Sequence, residues 1–208
     1  MGKQIASVIL AGGKGKRLGG VLKANLKIGR VSLLQRAKNS LSDSNGERII
    51  STGSTSKEFF DLSPNWVAIK DLGSGEIEQK GPLAGIVAGV DYLVKNNTKS
   101  EFLMSLAVDS VLFPPEFYKL AFELLDKDID VVIAKYEGQI YPTNALWRLS
   151  SIKDLPKRFD EVSKFGIKGL LKSLKAIEME IKSDDGLDPS QNINDIYDII
   201  ACTKRLKS

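Results

Sequence analysis

The sequence predicts a single α/β domain, a three-layer α/β/α arrangement with a mostly parallel central sheet. Three observations predict it. Short β-branched or apolar runs alternate with stretches of helical spacing, the pattern of parallel strands joined by crossover helices. Phe102 to Val108 is almost continuously apolar, as a central strand covered on both faces is. The 208 residues, 42% of them hydrophobic, suffice for one compact core with enough interior to shape a cleft.

Taken in order, the strands expected are Ala6 to Leu10, Arg48 to Ser51, Val67 to Ile69, Phe102 to Val108 and Ile129 to Ala134. The helices expected between and after them are Ser32 to Leu41, Pro82 to Lys95, Pro115 to Leu125, Ser163 to Leu174 and Asn194 to Leu206. Two of these open on proline, which suits a first helical turn. Ser183 to Gln191 is polar, holds Gly186 and Pro189, and reads as a loop before the last helix. There is no internal repeat, low-complexity tract or domain linker, so residues 1–208 read as one domain.

Composition excludes several kinds of chemistry. The chain has no histidine, which removes every serine-histidine and cysteine-histidine mechanism and the commonest transition-metal ligand. Its one cysteine, Cys202, forms no intramolecular disulfide and no zinc cluster. The 30 basic and 26 acidic residues leave a net charge of +4, with the lysines scattered, so a nucleic-acid groove is not indicated. The short apolar run Ile5 to Ala11 is interrupted at once by glycines and reads as neither signal peptide nor membrane span; a cytoplasmic protein, monomeric or weakly oligomeric, is expected.

The first strand runs directly into Leu10-Ala11-Gly12-Gly13-Lys14-Gly15-Lys16-Arg17-Leu18-Gly19-Gly20. Glycines here let amide N–H groups turn inward toward an anion, and Lys14, Lys16 and Arg17 add positive charge, so the loop reads as a phosphate cradle. A solvated turn is the plain alternative. The dinucleotide pattern GxGxxG fails because Leu18 stands where a third glycine is needed, and GxxxxGK[ST] fails for want of Ser or Thr after a Gly-Lys pair. Further along, Asp71 closes a short strand, and Gly81-Pro82-Leu83-Ala84-Gly85-Ile86 opens a helix. Gly85 and Gly89 share a face, each costing about 1 kcal/mol relative to alanine, so either sheet packing or a nucleotide needs their missing side chains. Asp109 follows the apolar strand, where ligands of open α/β sheets collect, and is placed to hold Mg²⁺ beside a triphosphate; a solvated carboxylate or helix cap is the alternative.

The glycine loop, followed by Lys23, resembles the signature loop of the molybdenum cofactor guanylyltransferases (the MobA family), with Leu22 where that family carries an acidic residue. Gly81-Pro82-Leu83-Ala84-Gly85 is similar to the family's Gly-Pro-Leu-Ala-Gly run. Asp109 to Pro115 resembles its Asp-x-Pro-x-(Leu/Ile)-Pro-Pro segment, with Val108 for the usual cysteine and Val111 for the first proline. Tyr141 to Trp147 resembles a His-Pro-x-x-(Ala/Gly)-Leu strand, Tyr141 replacing histidine, and Asn192-Ile193-Asn194 resembles an Asn-(Ile/Val)-Asn run, although Asn194 reads equally as a helix N-cap.

The resemblance implies a Rossmann-like nucleotidyltransferase fold and transfer of GMP from GTP to Mo-molybdopterin, with Mg²⁺ on Asp109. It implies GTP contacts from Leu10, Ala11, Gly12, Gly13, Gly15, Arg17, Lys23, Asp71 and Asp109, of which Arg17, Lys23 and Asp109 are catalytic. Gly81, Pro82, Asn192 and Asn194 would meet the pterin, and a molybdopterin-delivering protein and acceptor molybdoenzymes would be partners. Such a transfer needs no histidine: the attacking phosphate is already an anion, so catalysis reduces to positioning and charge neutralisation. Three alternatives stay open: a cytidylyltransferase of the same cofactor, a sugar- or alcohol-phosphate nucleotidyltransferase, and a non-catalytic nucleotide-binding module.

Overall fold

The structure is a computed structural model that describes residues 3–60, 62–73, 81–126, 128–183 and 185–206. Among these, β1 (Ile5–Leu10), β2 (Arg48–Ser51), β3 (Val67–Ile69), β4 (Phe102–Ala107), β5 (Val131–Tyr136), β6 (Gln139–Arg148) and β7 (Ala176–Glu180) form one sheet. Its order is β7-β5-β6-β4-β1-β2-β3. Neighbours in the β4-β1-β2-β3 half are parallel, β5 and β7 are parallel, and β6 alone runs against its neighbours β4 and β5. The helices are α1 (Leu33–Ser40), α2 (Gly81–Lys95), α3 (Glu116–Leu124), α4 (Gly166–Leu171) and α5 (Ile196–Arg205), with shorter helical turns between them.

Alternation along the strands builds two cores, one on each face of the sheet. Phe102, Met104 and Leu106 of β4 point with Ile9 toward α1 and α3, where Leu33, Leu34, Phe117 and Tyr118 are buried. Leu103 of β4 points with Ala6 and Val8 toward α2, against Leu83, Ile86, Val87 and Val90. All six residues of β4 are buried and the strand is the middle one, as the apolar run Phe102 to Val108 predicts. Each buried Leu, Ile, Val or Phe side chain is worth about 1.5–3 kcal/mol against leaving it in water, so the two cores fix the layers. Two buried aromatic polar groups are paired: Trp147 Nε1, fully buried on β6, donates to Ser105 Oγ at 2.8 Å, and Tyr118 Oη donates to the Ser105 carbonyl at 2.7 Å, whereas the buried hydroxyls of Ser7 and Ser190 have no hydrogen-bond partner among the described residues.

Helix boundaries follow local chemistry. Ser32 caps α1, its side chain accepting from the Gln35 N–H at 3.1 Å. Asp195, rather than Asn194, caps α5, and Asp198 reciprocates in a capping box. The helix expected over Ser163 to Leu174 is interrupted: Ser163–Phe165 is a 3₁₀ turn, Gly166 takes φ +62°, and the α-helix ends at Leu171. Strand β7 was absent from the expected elements. Its alternate residues are exposed, and Lys135 of β5 pairs with Glu178 on it at 2.8 Å, so it reads by composition as a solvated surface. Among the described residues no helix is long and apolar enough to cross a membrane.

Candidate active site

The carboxyl ends of β1, β2, β3 and β4 face the same way, and the loops leaving them surround one cleft of about 500 Å³. Ala11 extends the β1–β2 ladder by one bond, its N–H donating to the Ser51 carbonyl at 2.8 Å. Gly12 then lies against Gly53 of the β2 loop: a Cβ on Gly12 would fall 2.6 Å from Gly53 Cα. Gly53 itself sits at φ +64°. This close approach of two backbones, rather than flexibility, is what the position requires of glycine. Lys14–Gly15 next pairs with Val21–Leu22 as a small antiparallel ribbon, turned by a 3₁₀ segment at Lys16–Leu18 and by Gly19 and Gly20. The ribbon brings the chain back to the cleft at Lys23.

Lys23 is 9% exposed, and its ammonium is held from two sides. Nζ donates to Asp109 Oδ2 at 2.7 Å and to Asn194 Oδ1 at 3.0 Å. Asp109 stands just past β4, beside a polar network that joins two loops and strand β6. Ile193 N–H donates to the Asp109 carbonyl at 3.2 Å, Ser110 Oγ to Asn192 Oδ1 at 3.2 Å, and Asn144 Nδ2 to Ser110 Oγ at 2.9 Å. Asn144, fully buried, also accepts from the Ala107 N–H at 3.1 Å. It sits where the β5–β6 register shifts between Tyr141 and Ala145 and where β6 parts from β4, so its carboxamide stands in for a ladder bond and the parting strands expose Thr143 to the cleft.

Asp71 forms the opposite wall. Its Oδ1 accepts from the Gly53 N–H at 3.0 Å and from Ser51 Oγ, while its own N–H donates to the Gly53 carbonyl at 3.1 Å. Burial pushes its carboxyl above the usual carboxylate range, and the bonds from Ser51 and Gly53 offset part of that rise. Helix α2 begins at the rim. A Cβ on Gly85 would come 2.5 Å from Ser51 Oγ and 2.9 Å from Leu10 Cδ2, and one on Gly89 would come 3.3 Å from Val8 Cγ2. Sheet packing therefore accounts for Gly89, while Gly85 both packs on the sheet and lines the cleft.

Of the residues singled out in the sequence, Leu10, Gly12, Gly13, Lys23, Asp71, Gly81, Pro82, Asp109 and Asn192 line the cleft. Ala11 is buried behind it, Gly15 lies in the ribbon, and Asn194 contributes through Lys23. Arg17 is exposed on the 3₁₀ turn and lies off the cleft wall. Of the segment between Asp71 and Gly81, residues 74–80 lie outside the described residues. Sequence reasoning missed Ser51, Gly53, Ser54 and Thr143. Gly53 carried a readable signal, a glycine two residues past the end of a strand neighbouring the first. No group of three or more His, Cys, Asp or Glu residues suited to a metal exists among the described residues. The single carboxylate of Asp109 suits a divalent cation that takes its remaining ligands from phosphates and water, not a protein cage.

Comparison with known proteins identifies the family and the fold. The family described as the MobA-like NTP transferase domain matches residues 7–177. The chain is similar to a molybdenum cofactor guanylyltransferase of Acidiphilium cryptum, 30% identical over 203 residues that cover 96% of this chain and 94% of that one. The structure of molybdopterin-guanine dinucleotide biosynthesis protein A from Archaeoglobus fulgidus superposes with a TM-score of 0.71 at 20% identity, covering 97% of this chain and 98% of that one. A 4-diphosphocytidyl-2C-methyl-D-erythritol synthase from Anaerococcus prevotii reaches the same TM-score of 0.71 at 13% identity, covering 99% and 97%, so the fold is shared beyond this family. With its domain matched across most of its length, the chain belongs to the MobA-like NTP transferase family and is a nucleotidyltransferase.

Proposed function

We propose that this chain is a molybdenum cofactor guanylyltransferase, which transfers GMP from GTP to the phosphate of Mo-molybdopterin and releases pyrophosphate. The observation that carries the proposal is the meeting of Lys23 and Asp109, at 2.7 Å, on the wall of a cleft that Gly12 and Gly13 also line. The name of the Acidiphilium cryptum relative, similar over nearly the whole chain, supports guanine and molybdopterin as the substrates.

In this reading the amides around Gly12 and Gly13, with the ammonium of Lys23, hold the triphosphate. Arg17 is assigned to the same phosphates by resemblance, its turn lying off the cleft wall, and Asp109 would hold Mg²⁺. Asp71 meets base or ribose with Oδ2, since Oδ1 is engaged by Ser51 and Gly53. Gly81, Pro82 and Asn192, which also line the cleft, meet the acceptor. An oxygen of the acceptor phosphate forms a bond to the α-phosphorus as the α-phosphorus bond to the β-phosphate bridging oxygen breaks, and the electron pair leaves with pyrophosphate. No proton need move, in keeping with a chain that has no histidine. Bound Mg²⁺ would neutralise charge gathering on the phosphate oxygens.

The experiment is pyrophosphate release from each nucleoside triphosphate in turn, with molybdopterin supplied and Mg²⁺ present. Release from GTP that depends on the acceptor is expected. Preference for CTP would replace guanylyl with cytidylyl transfer, and stoichiometric binding without turnover would make the chain a carrier.

A further inference from the structure

Lys23 and Asp109 are paired with each other, yet the proposed reaction needs the carboxylate for a cation and the ammonium for phosphate oxygens. A carboxylate turned toward a cation withdraws one acceptor from an ammonium that is 9% exposed as a residue and has little water to fall back on. An ammonium has three donors and no acceptor, so one bond can aim it while another meets the ligand. Among the described residues, the other acceptor of the ammonium is Asn194 Oδ1, 3.0 Å from Nζ.

We infer that Asn194 is a positioning residue for Lys23: its carboxamide oxygen holds the ammonium toward the cleft when phosphate and cation have parted Lys23 from Asp109. The inference rests on reading Lys23 as a phosphate ligand. Three features support it. Asn194 is not spent as a helix cap, because Asp195 and Asp198 make the capping box of α5. Its backbone is fixed all the same, since its N–H donates to Asp198 Oδ2 at 2.7 Å and the preceding Ile193, 2% exposed, donates to the Asp109 carbonyl. The two asparagines also face different work. Asn192 accepts from Ser110 and lines the cleft, whereas Asn194 is exposed, accepts from the lysine and lies off the cleft wall. The resemblance assigns both to the pterin; the geometry divides them.

The test is a double-mutant cycle read by calorimetric titration with inorganic tripolyphosphate at fixed Mg²⁺, using the full chain. Asn194→Ser, whose hydroxyl is too short to reach Nζ, is expected to weaken binding about tenfold in the parent, the scale of one hydrogen bond to a charged group. In a Lys23→Ala background the same substitution should change binding less than about twofold. Asn194→Ala, the second variant, carries the same expectation. Equal weakening in both backgrounds would show a general effect on the loop, and no weakening in the parent would show no link; either overturns the inference. The probe carries neither base nor pterin, so CTP preference in the turnover assay would overturn the guanylyl reading and leave this cycle intact.

Discussion

Replacing Gly12 by alanine tests whether the glycine loop is shaped by its neighbour loop or only by its ligand. The added Cβ would lie 2.6 Å from Gly53 Cα, 2.7 Å from Gly53 N and 3.2 Å from the Thr52 carbonyl carbon. Carbon atoms rest about 3.5–4.0 Å apart, so the two backbones must separate by about 1 Å. No flexible side chain can absorb this, and Gly53 is tied to Asp71 by bonds of 3.0 and 3.1 Å, so the shift passes to the opposite wall. Overpacking of this kind costs about 1–3 kcal/mol. With a urea dependence of about 2–3 kcal/mol/M, the unfolding midpoint should fall by about 0.3–1.5 M, and nucleotide affinity should fall with it. Gly13→Ala is the control: its Cβ would meet only Lys23 Cδ at 3.8 Å, an ordinary contact, so its midpoint should stay within about 0.2 M of the parent. Equal midpoints for the two variants would refute the close-approach argument.

Asp109→Asn keeps the side chain's shape and removes its charge, so the far-UV spectrum should be retained while divalent-dependent turnover falls by about a hundredfold or more; activity equal to the parent would remove Asp109 from the metal. The Arg205 guanidinium, assisted by Ser183 and the Leu187 N–H, holds the Asp185 carboxyl well below the usual range, against a smaller opposing effect of burial. A depressed carboxyl stabilises the fold above its unfolded value near 4 and loses that contribution as pH falls further. The melting-temperature gap between the parent and Asp185→Asn should therefore be full at pH 6 and narrow between about pH 4 and pH 2; a gap independent of pH would show that Arg205 orders the loop without this charge.

Periodicity alone located the central strand, because a strand buried on both faces must be apolar throughout, and Phe102 to Ala107 is. Asp109 was legible as a charge at the end of a strand and Lys23 through the family resemblance, and the ribbon that brings Lys23 to the cleft follows from glycines visible in the sequence. What was not legible is contact between distant residues. Nothing local to Gly12 announces Gly53, and nothing local to Asn194 announces Lys23; as an N-cap candidate it was displaced by its neighbour Asp195, whose carboxylate takes the Tyr197 and Asp198 N–H groups. The break at Gly166 escaped because helical spacing on either side of a glycine does not reveal the sign of its φ. Strand β7 escaped because a half-exposed strand rich in glutamate has the composition of a solvated surface.

The two bonds that hold the Lys23 ammonium span 86 and 171 residues of chain. Contacts of that separation pay their loop-closure entropy before they return any energy, which places them late in folding. Synthesis proceeds from the N-terminus, so the glycine ribbon emerges first and waits for both of its polar partners. A partly made chain presents the loop with Lys23 solvated and unaimed, and its reactive centre comes together only as the segment before α5 docks.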